Sequence, residues 1–263
     1  MTQVLTALAA LVAAAVTVPT AAEEAPDRDA LMQWGYTLAG NAESDLPLIS
    51  LSTPLCLLVA ADDAELAATV GKRVIANARK AGARVRRGKC RPNAVIAFAP
   101  DAQEQLQEVR EKTGRVYGSL YASQLDRLLE TEREGFAFQL HDLRATGAAG
   151  GVVSTSSARS EMSAALVVVD AAAAEGLTAK QLADYATLRL LAPTTDLRSL
   201  PADADAQATA TILTLLRDRE AAPAEMTRFD RAYLESLYSL GLGPRAKKVM
   251  ARASKIALAD EGL

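Results

Sequence analysis

The sequence predicts a single α+β domain in which helices pack on a mixed sheet. Apolar runs bounded by turn residues, LISLSTPLCLLVAA at 48–61 and NAVIAFAPD at 93–101, enclose an amphipathic segment and so form a strand, helix, strand unit. FAFQLHDLR at 136–144 alternates like a half-exposed strand, and ALVVVD at 165–170 is continuously apolar like a strand covered on both faces. Capped helical patterns fill the rest of the chain to its carboxyl end. With 263 residues, 50% of them hydrophobic, the chain can bury one substantial core.

The amino end, MTQVLTALAALVAAAVTVPTAA, carries an apolar stretch from Val4 to Val18. At about 15 residues it has the length of a signal-peptide core rather than of a membrane span, which needs about 20. Small residues at Thr20 and Ala22 place cleavage after Ala22, giving a signal peptide over residues 1–22. The first residues lack Lys and Arg, and an uncleaved anchor is the alternative. Residues 23–47, with Pro26, Gly40, Pro47 and one short helix around Leu31 to Leu38, read as a leader into a domain over residues 48–263.

Within the domain, strand signals begin at Leu48, and Pro54 splits the first run in two. Asp62 with Glu65 forms a reciprocal capping pattern, after which Leu66, Val70, Val74, Ile75 and Ala78 share a helical face that Gly82 closes. Asp101 with Glu104 opens a second, polar helix, and SQLDRLLETE from Ser123 a third. GAAGG at 147–151 is a turn, and VVSTSSARSEM a polar return with weak strand character. Thr178 with Gln181 caps QLADYATLRLLA, which Pro193 stops. ADAQATATILTLLRD at 204–218 reads as a further helical segment. Thr227, with Asp230 at the third helical position, starts MTRFDRAYLESLY. The last helix begins at Pro244 and sets Val249, Met250, Ala253, Ile256 and Ala257 on one stripe, with a solvated basic face opposite.

Charge and composition exclude several functions. Against 32 acidic residues stand 29 Lys and Arg, and the net charge of -3 gives no electrostatic footprint for a polyanion, so nucleic acid is not an expected partner. His141 is the single histidine, whereas a catalytic zinc takes three protein ligands, mostly imidazoles. No phosphate-cradling glycine motif stands between a strand and a helix, and no cofactor is called for. A Ser, His, Asp triad would have to use His141, yet the neighbouring Asp142 faces the other way along a strand and no nucleophile elbow is present. The catalytic and metal-ligand sets are therefore expected to be empty. Cys56 and Cys90 flank adjacent predicted strands, and in an oxidising compartment they pair as a disulfide; two buried free thiols are the alternative.

From Ala165 onward the order of segments resembles the carboxyl half of the zincin metalloproteases, in their metzincin-like branch. There an apolar strand such as ALVVVD precedes the helix that bears the zinc-binding HExxH; here that helix reads QLADYATLRLLA. ATILTLL stands where the family has the segment around its methionine turn, and MTRFDRAYLESLY is similar to the closing helix. STPLCLLVA, the capped helix after it and NAVIAFAPD resemble the family's opening. A nearer resemblance is to a group of exported proteobacterial proteins of unknown function with paired cysteines, a CxPN turn and an FDRAYL segment. The resemblance implies a zincin-like scaffold, but without HExxH none of the family's catalytic residues carries over. Thr227, Asp230, Leu237 and Tyr238, which do match, serve capping and packing.

The expectation is an exported, non-catalytic pseudoenzyme, periplasmic or secreted, that binds a protein or cell-envelope partner. It meets the membrane only through its signal peptide during export. The alternative is an exported hydrolase with a non-zinc site, drawing on His141, Asp184, Tyr185 and Arg189 across a cleft. A groove edged by the His141 strand above the helix from Thr178 would be the zincin arrangement; a helix buried on all sides would be scaffold.

Overall fold

The computed structural model describes residues 27–40, 46–113, 126, 134–145, 158–195, 197 and 211–259. The expected signal peptide, the body of the helix from Ser123 and the GAAGG turn lie outside the described residues. A four-stranded mixed sheet organises the fold, with strands β1 (Leu57–Ala60), β2 (Ala94–Ala99), β3 (Gly135–Ala145) and β4 (Ala158–Asp170) in the order β1-β2-β4-β3. β1, β2 and β4 run parallel, and β3 lies antiparallel on the outer side of β4.

Helix α2 (Ala64–Lys80) crosses from β1 to β2. Its N-cap is Asp63, one residue beyond the expected Asp62, because Asp63 Oδ1 accepts from the N–H groups of both Glu65 and Leu66. Val70, Val74 and Ala78 are buried as expected, and Asn77 joins them as a buried polar group. Asp101 caps α3 (Ala102–Thr113), accepting from Glu104 N at 2.7 Å.

β4 is longer than its apolar run. The half-polar residues from Ala158 to Ala164 extend because β3 pairs with them; β2 joins β4 from Ala165 to Asp170. Val167, Val168 and Val169 are all buried, so both faces are covered there. Leu106 packs with Phe136, Phe138 and Val168 on one face. The main core, with Ile96, Val167 and Val169, fills the other.

One expectation near the amino end gives way. The run from Leu48 does not form a regular strand: it makes isolated bridges, Leu51 with Met162 and Leu55 with Val85, before β1 begins at Leu57, and Pro47 just ahead of it bridges Arg245. The short helix expected around Leu31 to Leu38 is present as α1 (Arg28–Leu38), and its Leu31, Trp34 and Leu38 enter the main core. Spacing of three and four residues puts Gly35 on the same face, where a Cβ would come within 2.4 Å of Met250 Sδ and 2.9 Å of the Phe229 ring. Glycine thus lets α1 approach its neighbours closely.

After β4 come α4 (Ala171–Ala174), α5 (Ala179–Leu191), α6 (Arg228–Ser239) and α7 (Ala246–Ala259). The capping boxes expected at Thr178/Gln181 and Thr227/Asp230 are both present. The expected helix at 204–218 is instead a short 3-10 turn, Ile212–Leu216, over its described part. Its geometry is held from outside: Thr211 Oγ1 donates to the buried Asp230 at 2.6 Å, and Ile212 N donates to the same carboxylate at 2.9 Å. Among the described residues no helix is long and apolar enough to cross a membrane.

Candidate functional site

α5 follows β4 along the chain, and every residue from Leu182 to Leu191 is buried. A helix covered all round tolerates polar side chains only where each finds a partner. Asp184, fully buried, accepts from Arg73 Nε at 2.6 Å and Nη2 at 2.7 Å, from Asn77 Nδ2 at 2.7 Å and from Met226 N at 2.9 Å. Both carboxylate oxygens are thereby engaged twice, and α5 is tied to α2 and to the turn before α6.

The charge of this cluster grades towards solvent. Arg73 also reaches Glu225 Oε2 at 3.3 Å, and Lys180 Nζ lies 2.7 Å from the same oxygen. The hydrogen bond to Asp184 raises the Arg73 guanidinium above its ordinary value, and the hydrogen bond from Lys180 holds the Glu225 carboxyl below the usual carboxylate range.

Tyr185 and Arg189 turn another way. The Tyr185 hydroxyl lies 3.2 Å from where a Cβ on Gly135 would sit, at the start of β3. Arg189 Nη1 folds back over the end of its own helix, donating to Thr194 Oγ1 at 3.2 Å and to the Thr194 and Thr195 carbonyls at 3.3 Å. Gln139 of β3 donates to the carbonyls of Arg189 and Ala192 at 3.1 and 2.8 Å. Tyr238 donates to Leu191 O at 3.0 Å and Tyr233 to Pro193 O at 2.9 Å, with burial pushing both phenols up. Those to Arg189, Leu191 and Ala192 satisfy carbonyls that a helix end leaves without intrahelical donors, and the others fasten the chain just after it.

His141 pairs with Met162 in the sheet at a register shift between Leu140 and His141; its side chain lies outside the described set. Asp184 faces α2, whereas Tyr185 and Arg189 face β3 and the chain after the helix, so these three do not converge on one cleft.

Open surface lies elsewhere. A groove of about 210 Å³ beside the Asp184 cluster is lined by Asn77, Lys80, Met226, Arg228, Arg231 and Glu235, among others. A larger concavity of about 290 Å³ adjoins the disulfide, between Thr53, Asn93 and the cations Arg86, Arg87, Lys89 and Arg91. Cys56 and Cys90 are bonded, with Cα atoms 6.1 Å apart.

Local hydrogen bonds brace the wall of this second concavity. Leu55 N donates to Arg84 O and Arg86 N to Leu55 O, both at 2.8 Å. Asn93 Oδ1 accepts from Cys56 N at 2.7 Å, while Asn93 Nδ2 donates to Thr53 Oγ1 at 2.8 Å and Pro54 O at 3.2 Å. Gly88, with φ 75°, supplies the left-handed residue of the turn. The whole-chain charge balance averages this region away, although the run RVRRGKCR displays it in the sequence.

Among the described residues no group of three or more His, Cys, Asp and Glu side chains could hold a metal ion. No protein-family model, curated protein or solved structure matches the chain.

Proposed function

We propose that this chain is an exported, non-catalytic protein on a degenerate zincin-like scaffold, periplasmic or secreted, that acts by binding a protein or cell-envelope partner. The observation that carries this reading is the condition of α5. Its Asp184 is consumed by Arg73, Asn77 and Met226, and its Arg189 caps the segment that follows, so both polar side chains serve the scaffold. The order of an apolar strand, a capped helix, a short turn and a Thr227-capped closing helix supports the scaffold assignment. The Cys56–Cys90 disulfide supports an oxidising compartment.

The test is elemental analysis of the purified, disulfide-bonded protein alongside a broad hydrolase screen. We expect no stoichiometric zinc and no turnover. Tightly held equimolar zinc, or a hydrolase activity that His141→Ala abolishes, would overturn the reading.

A further inference from the structure

We infer that the concavity between the disulfide and the Arg84–Arg91 loop is a binding site for phosphate groups. Arg84, Arg86, Arg87, Lys89 and Arg91 are all exposed and fall within a run that contains no acidic residue. Among the described residues, none of them forms an ion pair. Arg84 is committed, donating through Nη2 to Ser52 O at 2.6 Å. Arg86, Arg87, Lys89 and Arg91 remain around the opening, on a chain whose net charge is -3.

Like charges crowded on a surface loop repel, and a loose loop would spread to relieve them. This loop is held at both ends. The disulfide ties Cys90 to the start of β1, Asn93 grips Cys56, Thr53 and Pro54, and Arg86 N is bonded to Leu55 O. An anion seated among the cations removes the repulsion, and a braced loop loses little conformational freedom on receiving it.

Guanidinium forks match the oxygens of a phosphate two at a time, and several cations favour a multiply charged group over a single carboxylate. Thr53 Oγ1 accepts from Asn93, which leaves its own proton for an anionic oxygen. At about 290 Å³, the space of roughly ten waters, the site suits one or two phosphate groups rather than a folded segment. The assignment holds whether or not α5 is scaffold alone, because the two regions share no residue.

The test titrates the disulfide-bonded protein with inorganic pyrophosphate and with vesicles of phosphatidylglycerol in phosphatidylcholine. Phosphatidylcholine vesicles and poly-glutamate serve as comparisons. Binding to pyrophosphate identifies a soluble phosphate anion as a source, and binding to the anionic vesicles that pyrophosphate displaces identifies a lipid headgroup. Either result supports the site. The double variant R86E/R87E, altered only at exposed side chains, should bind at least about tenfold more weakly.

The charge-matched variant K248E/K255E, on the exposed side of α7, should stay within about twofold of the parent. R87Q supplies a milder second variant should the double change disturb folding, and is expected to weaken binding about threefold. Absence of binding to pyrophosphate and to anionic vesicles, equal loss in K248E/K255E, or poly-glutamate competing as well as pyrophosphate would each overturn the assignment.

Discussion

Arg73 and Asp184 meet as a two-pronged ion pair, Nε to Oδ1 at 2.6 Å and Nη2 to Oδ2 at 2.7 Å, across the contact between α2 and α5. The two ends are unequal: the Arg73 side chain is 32% exposed and the Asp184 side chain 0%. Removing the arginine therefore leaves a buried carboxylate without its cation, held only by Asn77 Nδ2 and Met226 N. Arg73→Leu should lower unfolding free energy by about 3–5 kcal/mol. Arg73→Lys keeps the charge without the fork and should cost about half as much. Urea denaturation of the two variants measures both, and equal losses would refute the importance of the fork.

Asp230 gives stability a distinctive dependence on pH. Complete burial raises its carboxyl despite hydrogen bonds from Thr211, Ile212 and Thr227. A folded-state value above the unfolded one makes the folded chain hold its proton to higher pH. That contribution is complete below the unfolded value and is lost as pH rises through the folded value. Glu225, whose carboxyl is lowered, works in the opposite sense and loses its contribution as pH falls. Asp230→Asn removes only the first effect. Urea titrations from about pH 4 to about pH 7 should find the stability of the parent falling relative to the variant as pH rises. A constant gap would contradict the raised value.

The disulfide closes a loop with a sequence separation of 34. Replacing both cysteines by serine should cost about 3–4 kcal/mol on the chain-entropy account. Asn93→Ala leaves the bond intact and removes the amide that binds Cys56, Thr53 and Pro54, so a loss of about 1–3 kcal/mol is expected. Thermal or urea unfolding of the oxidised proteins checks both values.

Gly35 allows α1 to lie against Met250 and Phe229. Gly35→Val should destabilise by about 1–3 kcal/mol through overpacking. Gly35→Ala should cost less, since about 1 kcal/mol of helix propensity offsets the displacement of the flexible Met250 side chain. A stabilised valine variant would show that α1 can withdraw without loss.

What could be read from the sequence was local. The Thr178/Gln181 and Thr227/Asp230 boxes, the stop at Pro193 and the alternation of Phe136 and Phe138 all depend on neighbours within a few residues. What escaped depends on distant ones. Trp34 is core because α1 meets the carboxyl-terminal helices, and the turn at Ile212 is set by Asp230. The polar residues of α5 pointed towards a cleft, but Asp184 had its partner 111 residues upstream. A buried aspartate calls for a cation, yet the sequence offers many and selects none. The basic loop was visible as a run of letters; its concavity and its bracing are tertiary facts.

Those separations divide the contacts of the sheet into local and distant ones. The cysteine loop and the hydrogen bonds of Leu55 and Asn93 need only the chain from about Thr53 to Ala94, whereas β2 gains its second neighbour only when β4 arrives. The disulfide thus ties the approaches to β1 and β2 within one short loop, whereas the pairing that completes the sheet brings Ala94 to Ala165 with no covalent link to hold them.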